Sequence, residues 1–214
     1  MNQPKKREVN GLLKKVLQTD QAITKKFVKY ANSLMPFKSL NNHYKMLEIS
    51  CHGVPWFAGW LAFMYLINNK DLIQMQVNFL IGLFVDVICV AVIKAITRRR
   101  RPVPNDDDIF GKYGPDKFSF PSGHASRSVF VAYFFINLYP FSFPFYLPFI
   151  SWSVAVSLSR LLMYRHHILD VGAGVILGLL NGLFIGLLWL GQDSCEWIYS
   201  LLSDEKLEGG SYHV

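Results

Sequence analysis

The stretch ILDVGAGVILGLLNGLFIGLLWL, residues 168 to 190, decides the fold. It is apolar over the roughly 20 residues that a helix needs to cross the hydrocarbon core of a bilayer. Gly174, Gly178, Gly182 and Gly186 recur at every fourth position. One stripe of such a helix presents almost no side chain, so another helix can pack closely against it. That neighbour is either another helix of the same chain or a second copy. The internal reading is preferred, because a small bundle needs such a close contact in any case.

Working outward, four more apolar segments precede this one: Leu47 to Ile67, Val77 to Ile96, Ala125 to Leu138 and Phe145 to Leu162. The expectation is an all-α integral-membrane helical bundle of about five spans, the third of them short. The chain has 214 residues, a net charge of +7 and a mean hydropathy of +0.23, which suits one compact membrane domain. The polar start, MNQPKKREVN, lacks the apolar core and cleavage site of a signal peptide. Cys51, Cys89 and Cys195 are widely separated and predict no disulfide framework, and no CxxC or His-rich spacing suggests zinc.

Residues 1 to 45 carry ten Lys or Arg against two acids, with Leu13, Leu17, Ile23, Phe27, Ala31 and Leu34 near helical spacing. This predicts a basic amphipathic helix lying on an anionic membrane face, with a partly disordered basic tail as the alternative. The expected organisation is therefore a basic segment 1–45, a membrane domain 46–191 and a peripheral tail 192–214.

The polar residues that interrupt this pattern are concentrated in KAITRRRRP (94–102), PSGH (121–124) and SRLLMYRHHILD (159–170). They fall at the end of the second segment, the start of the third, and between the fourth and fifth. Alternating crossings bring all three to one membrane face. Lys94, Arg101 and Arg160 supply fixed cations of the kind that stabilise a phosphoryl group in transfer without a metal ion. His166 can attack phosphorus and form a phosphohistidine. Asp170 stands four residues later, on the same helix face, where a carboxylate can orient the ring and stabilise its cation. His124 follows Ser122 and Gly123 at an expected helix N-terminus, where backbone N–H groups favour an anion and Ser122 and Gly123 can cradle phosphate oxygens.

With these residues the chain resembles the type-2 phosphatidic acid phosphatase superfamily, whose pattern is Lys-x6-Arg-Pro, Pro-Ser-Gly-His and Ser-Arg-x5-His-x3-Asp. All three pieces are intact and in order, and the resemblance covers roughly residues 45 to 190. It implies that Arg101 is a phosphate ligand and that His124 protonates the leaving group. The flanks LEISCHGVPW, Asp86 and the arginines before Arg101 resemble the polyisoprenoid diphosphate phosphatase branch. The resemblance thus implies a metal-independent membrane phosphatase without cofactor. Its implied substrates are isoprenoid diphosphates (farnesyl, geranylgeranyl or presqualene); the alternative is a broad phosphatase for phosphatidate, sphingoid or dolichyl phosphates. A catalytically inactive membrane scaffold is the rival from another class, but it is expected to have lost His166, His124 or Arg160, and all are present.

Other features have plainer readings. Arg98, Arg99 and Arg100 are expected to touch lipid headgroups or fix topology rather than nucleic acid. Asp106, Asp107 and Asp108 form a solvated loop, because the second acidic cluster of a prenyl-diphosphate metal site is missing. His167 is expected to be interfacial and structural. Asp86, inside the second segment, needs a partner or a role, most simply a hydrogen bond within the bundle. The basic N-terminus and arginine-rich loop predict a cytosol-facing site, on the endoplasmic reticulum and nuclear envelope.

Overall fold

A computed structural model of the chain describes residues 10–34, 40–67, 69–103 and 117–202. Among the described residues eight α-helices follow one another: α1 (Gly11–Leu34), α2 (Asn41–Ser50), α3 (Gly53–Leu66), α4 (Lys70–Thr97), α5 (Gly123–Tyr133), α6 (Tyr146–Leu162), α7 (Ile168–Leu188) and α8 (Gln192–Leu202). A π-type turn, Phe134–Leu138, prolongs α5. The acidic triplet 106–108 and the chain after residue 202 lie outside the described residues.

Among the described residues, three helices are long and apolar enough to cross a membrane: α4, α6 with the short turn that precedes it (Phe143–Leu162), and α7. The apolar α3 has only 14 residues, and α5 has 11 before its π-type turn. Of the five expected spans, three therefore reach the required length. Their outward faces carry Phe84, Ile88 and Val92 on α4, Leu147 and Val154 on α6, and Ile176 and Leu183 on α7, all exposed. A belt of this kind is the surface that lipid tails would cover.

Helix α7 packs along α5 through the glycine stripe. A Cβ at Gly174 would lie 2.5 Å from the Ser122 carbonyl oxygen, and one at Gly178 would lie 2.3 Å from that of Ser126. The stripe is filled from within the chain, so the internal reading of these glycines holds. On the far side of α5 the core is aromatic. The Phe79 ring, fully buried, lies 4.1 Å from Trp60, 4.9 Å from Phe134 and 5.6 Å from Phe130 between ring centroids. Rings at these separations add a modest directional term to a large burial of apolar area.

The amphipathic N-terminal helix forms, and it docks onto the bundle through residues outside its apolar stripe. Asp20, Thr24 and Val28 are buried, whereas Leu13, Ile23, Phe27 and Leu34 are exposed. The apolar stripe points outward, as a lipid surface would require, and the i, i+4, i+8 set Asp20, Thr24 and Val28, two of them polar, docks onto the bundle.

At the opposite end of the molecule, α8 seals the turn between α3 and α4. The Tyr199 hydroxyl donates to the Met64 carbonyl at 3.1 Å, and Gln192 Nε2 donates to that of Lys70 at 2.8 Å. Asn78 clamps the exit of α7, accepting from the Leu190 N–H at 2.9 Å and donating to its carbonyl at 3.1 Å.

Candidate active site

The C-terminal ends of α4 and α6 meet the N-terminal ends of α5 and α7. Helix α4 stops because Arg98 adopts a left-handed conformation, φ 50°, while its N–H still bonds to the Lys94 carbonyl. The chain then runs extended, and Arg100 bridges to Phe118. Alternate residues of an extended segment face opposite ways. Arg99 and Arg101 consequently turn inward, while Arg98 and Arg100 are exposed.

The bridge positions Ser119, whose N–H donates to the Arg99 carbonyl at 2.8 Å. Its own carbonyl oxygen lies 2.8 Å from Nδ1 of His166. A carbonyl only accepts, so Nδ1 carries the hydrogen and Nε2 keeps its lone pair. His166 is buried, and burial together with the nearby charges of Arg101, Lys94 and Arg160 holds its pKa well below the ordinary 6.5. The ring is thus a neutral imidazole among three cations. Lys94 and Arg160 are both buried, in the last turns of α4 and α6.

Asp170 is the point at which the geometry departs from the i+4 expectation. Its Oδ2 stands 4.0 Å from His166 Nδ1, too far for a hydrogen bond. Instead Oδ2 accepts from the His167 N–H at 2.8 Å and from His167 Nδ1 at 3.1 Å, and Oδ1 accepts from Arg99 Nη1 at 2.7 Å. The reason is local. His167 is the extended residue that caps α7, so its N–H and ring turn back onto the carboxylate at the third helical position. His166 sits one residue further out and is held by Ser119. Asp170 therefore reaches His166 only as a nearby negative charge. The expectation of Arg99 at lipid headgroups is corrected too: it is an ion-pair partner of Asp170 with its side chain only 9% exposed.

Helix α5 opens with Ser122, whose hydroxyl accepts from the Ala125 N–H at a long 3.5 Å and whose N–H donates to the Asp170 carbonyl at 2.9 Å. Gly123 is packed on Val90, where a Cβ would come within 3.3 Å of Val90 Cγ1. His124 lies within electrostatic reach of Arg160 and His166. Its Nε2 is buried and has no hydrogen-bond partner among the described residues. All eight expected site residues thus gather at one end of the bundle.

Several participants escaped the sequence reading. Glu48 of α2 pairs with Arg160 at 3.0 Å, and the His52 ring centroid stands 6.1 Å from that of His124. Arg127 donates to the Cys51 carbonyl at 2.9 Å and pairs with Asp86 at 3.4 Å, while Ser126 donates a very short hydrogen bond to Asp86. Asp86 is thereby the structural anchor that its buried position demanded. Arg99 could have been found from the two-residue alternation with Arg101. Glu48 had no local signal.

A family model described as the PAP2 superfamily matches residues 75–192, which carry all of these motifs. The chain belongs to the PAP2 superfamily. A protein of Arabidopsis thaliana named "Probable lipid phosphate phosphatase beta" is 34% identical over 164 residues, an alignment covering 65% of this chain and 76% of that protein. No solved structure matches significantly. Membership in this phosphatase family makes the chain a phosphoric-ester hydrolase, with a membrane-type helical architecture.

Proposed function

We propose that this PAP2 protein removes phosphate from lipid phosphates at the membrane surface, without a metal ion, through a phosphohistidine on His166. The observation that carries the reading is the neutral His166, with the lone pair on Nε2 and the charges of Lys94, Arg101 and Arg160 nearby. Nε2 attacks phosphorus and the bond to the leaving oxygen breaks. His124, which gains its proton as the substrate's negative charge arrives, passes that proton to the leaving oxygen. The phosphorylated ring is cationic, and Asp170 stabilises it across 4.0 Å. Water then attacks phosphorus, giving up a proton to His124, and the P–N bond breaks to release inorganic phosphate and neutral His166. The cations and the first amides of α5 hold the charge that develops on the phosphoryl oxygens.

Isoprenoid diphosphates are the preferred substrates in this reading. A 510 Å³ cavity beside Arg101 and His167, lined also by Lys25, Arg100, Gln18 and Gln21, offers room and positive charge for a second phosphate. The second reading, a broad lipid phosphate phosphatase, is favoured by the name of the Arabidopsis relative. Phosphate release in detergent with EDTA present, from farnesyl diphosphate against phosphatidate, separates them. The diphosphate is expected to have the higher kcat/KM, with vanadate inhibitory. Equal rates would favour the broad reading, and strict magnesium dependence would overturn the metal-free mechanism.

We further infer a cytosol-facing site, on the endoplasmic reticulum and nuclear envelope, from the basic α1 and the exposed Arg98 and Arg100 at the site end of the bundle. A reporter cysteine at Asn105 should react with an impermeant reagent in sealed microsomes. Protection until the membrane is opened would reverse the orientation.

A further inference from the structure

We propose that α1 is a working part of the active site and that Asp20 is a positioning residue, acting on Asp170 through Arg99. The proposal rests on the phosphohistidine reading above. Helix α1 is mostly exposed and basic, with Lys14, Lys15, Lys25, Lys26 and Lys29 on its surface. Within it the single acid, Asp20, is 5% exposed, and a buried carboxylate persists only when charge and hydrogen bonds compensate it. Asp20 Oδ2 accepts from Arg99 Nη2 at 2.5 Å, and the other arm of the same guanidinium, Nη1, donates to Asp170 Oδ1 at 2.7 Å. One buried arginine thus bridges two carboxylates, one from the N-terminal helix and one beside the nucleophile.

A second set of contacts points the same way. The first N–H groups of a helix have no partner within it. In α7 they are satisfied from α1: Ile168 N–H donates to Thr24 Oγ1 at 3.1 Å, and Leu169 N–H donates to Asp20 Oδ1 at 3.1 Å. The turn that carries His166 and His167 is therefore clamped between α1 on one side and Ser119 on the other. A helix that only anchored the chain to lipid would have no reason to bury Asp20 and Thr24 against the catalytic loop.

The charge arrangement gives Asp20 a chemical effect. With Asp20 ionised, the Arg99 charge is shared between two carboxylates, and Asp170 retains negative potential toward the His166 ring. With Asp20 neutral, the whole Arg99 charge falls on Asp170, and the cationic phosphohistidine loses stabilisation. Asp20→Asn keeps the shape and an acceptor for Leu169, yet should lower kcat about tenfold or more, the scale of one hydrogen bond to a charged group, with KM within about twofold. Arg99→Gln should cost more, because Asp170 then loses the donor that holds its carboxylate in place, and this loss of position outweighs the relief of the positive charge. The double variant should be no slower than Arg99→Gln alone, because the link is already broken. Thr24→Val, which removes one capping acceptor at constant shape, should slow kcat a few-fold, and Lys15→Gln on the exposed face should not change it.

The experiment is a kcat and KM series on these variants in detergent, on the best lipid phosphate, together with amide hydrogen exchange over residues 168–171. The expected result is the non-additive cycle, with faster exchange of these amides in Thr24→Val, which loses its acceptor. Additive losses, wild-type kcat in Asp20→Asn, or wild-type exchange in Thr24→Val would overturn the proposal. A wild-type protein inactive on every lipid phosphate would sink the functional reading alone, since the exchange data still decide whether α1 clamps the loop.

Discussion

The Nδ1 atom of His166 lies 2.8 Å from the carbonyl oxygen of Ser119, and this contact leaves Nε2 as the ring nitrogen that carries the lone pair. It takes the place that the i+4 spacing assigns to Asp170, which stands 4.0 Å away. His166→Ala should abolish phosphate release. Asp170→Asn should lose about 10²-fold in kcat, less than the roughly 10⁴ typical of a carboxylate bonded directly to a catalytic histidine, because its help is given through space. A loss in Asp170→Asn equal to that of His166→Ala would mean a direct bond forms during turnover.

Burial, then the charges of Arg101, Lys94 and Arg160, depress the His166 pKa. In the proposed mechanism the nucleophile is the neutral form, and a lowered pKa keeps that form populated to lower pH. An NMR titration of labelled histidine in the substrate-free protein should place the His166 midpoint below 6.5, the ordinary value. Arg101→Gln should move it upward, since one positive neighbour is gone. A midpoint at or above 6.5 in the wild-type protein would show that the ring is not held neutral.

Glu48 occupies Arg160 at 3.0 Å, so in the proposed mechanism a phosphate group competes with this carboxylate for the guanidinium. Glu48→Gln should lower the stability of the substrate-free protein by roughly 1–3 kcal/mol, because it leaves Arg160 buried with a weaker partner. It should also tighten vanadate inhibition several-fold. Thermal unfolding with and without vanadate measures both. Weaker inhibition in Glu48→Gln would mean that Glu48 aligns Arg160 rather than competing for it.

The approach of α5 to α7 predicts a contrast between two glycines. Gly178→Ala puts a Cβ 2.3 Å from the Ser126 carbonyl oxygen and should cost roughly 1–3 kcal/mol, seen as a lower Tm in detergent. Gly172→Ala meets nothing within 4 Å and should leave Tm unchanged or slightly raised. Similar behaviour of the two variants would contradict the packing.

The sequence by itself determined the all-helical membrane architecture, the meeting of the polar motifs at one end of the bundle, and the close helix approach along the glycine stripe, whose partner within the chain the structure then supplied. Each follows from a local period: length against bilayer thickness, alternation of crossings, and spacing along one helix. It also marked Lys94, Arg101, His124, Arg160 and His166, because these lie in short, ordered motifs. Only the tertiary structure decided which groups touch. His167 rather than His166 bonds to Asp170, because a helix cap is set by backbone dihedrals that a spacing rule does not contain. Arg99 left the lipid surface for Asp20 and Asp170, and α1 turned its polar stripe inward, across separations of 71 to 149 residues. Such contacts depend on how whole helices dock, and a buried charge on a basic helix declares its partner only once both elements are in place.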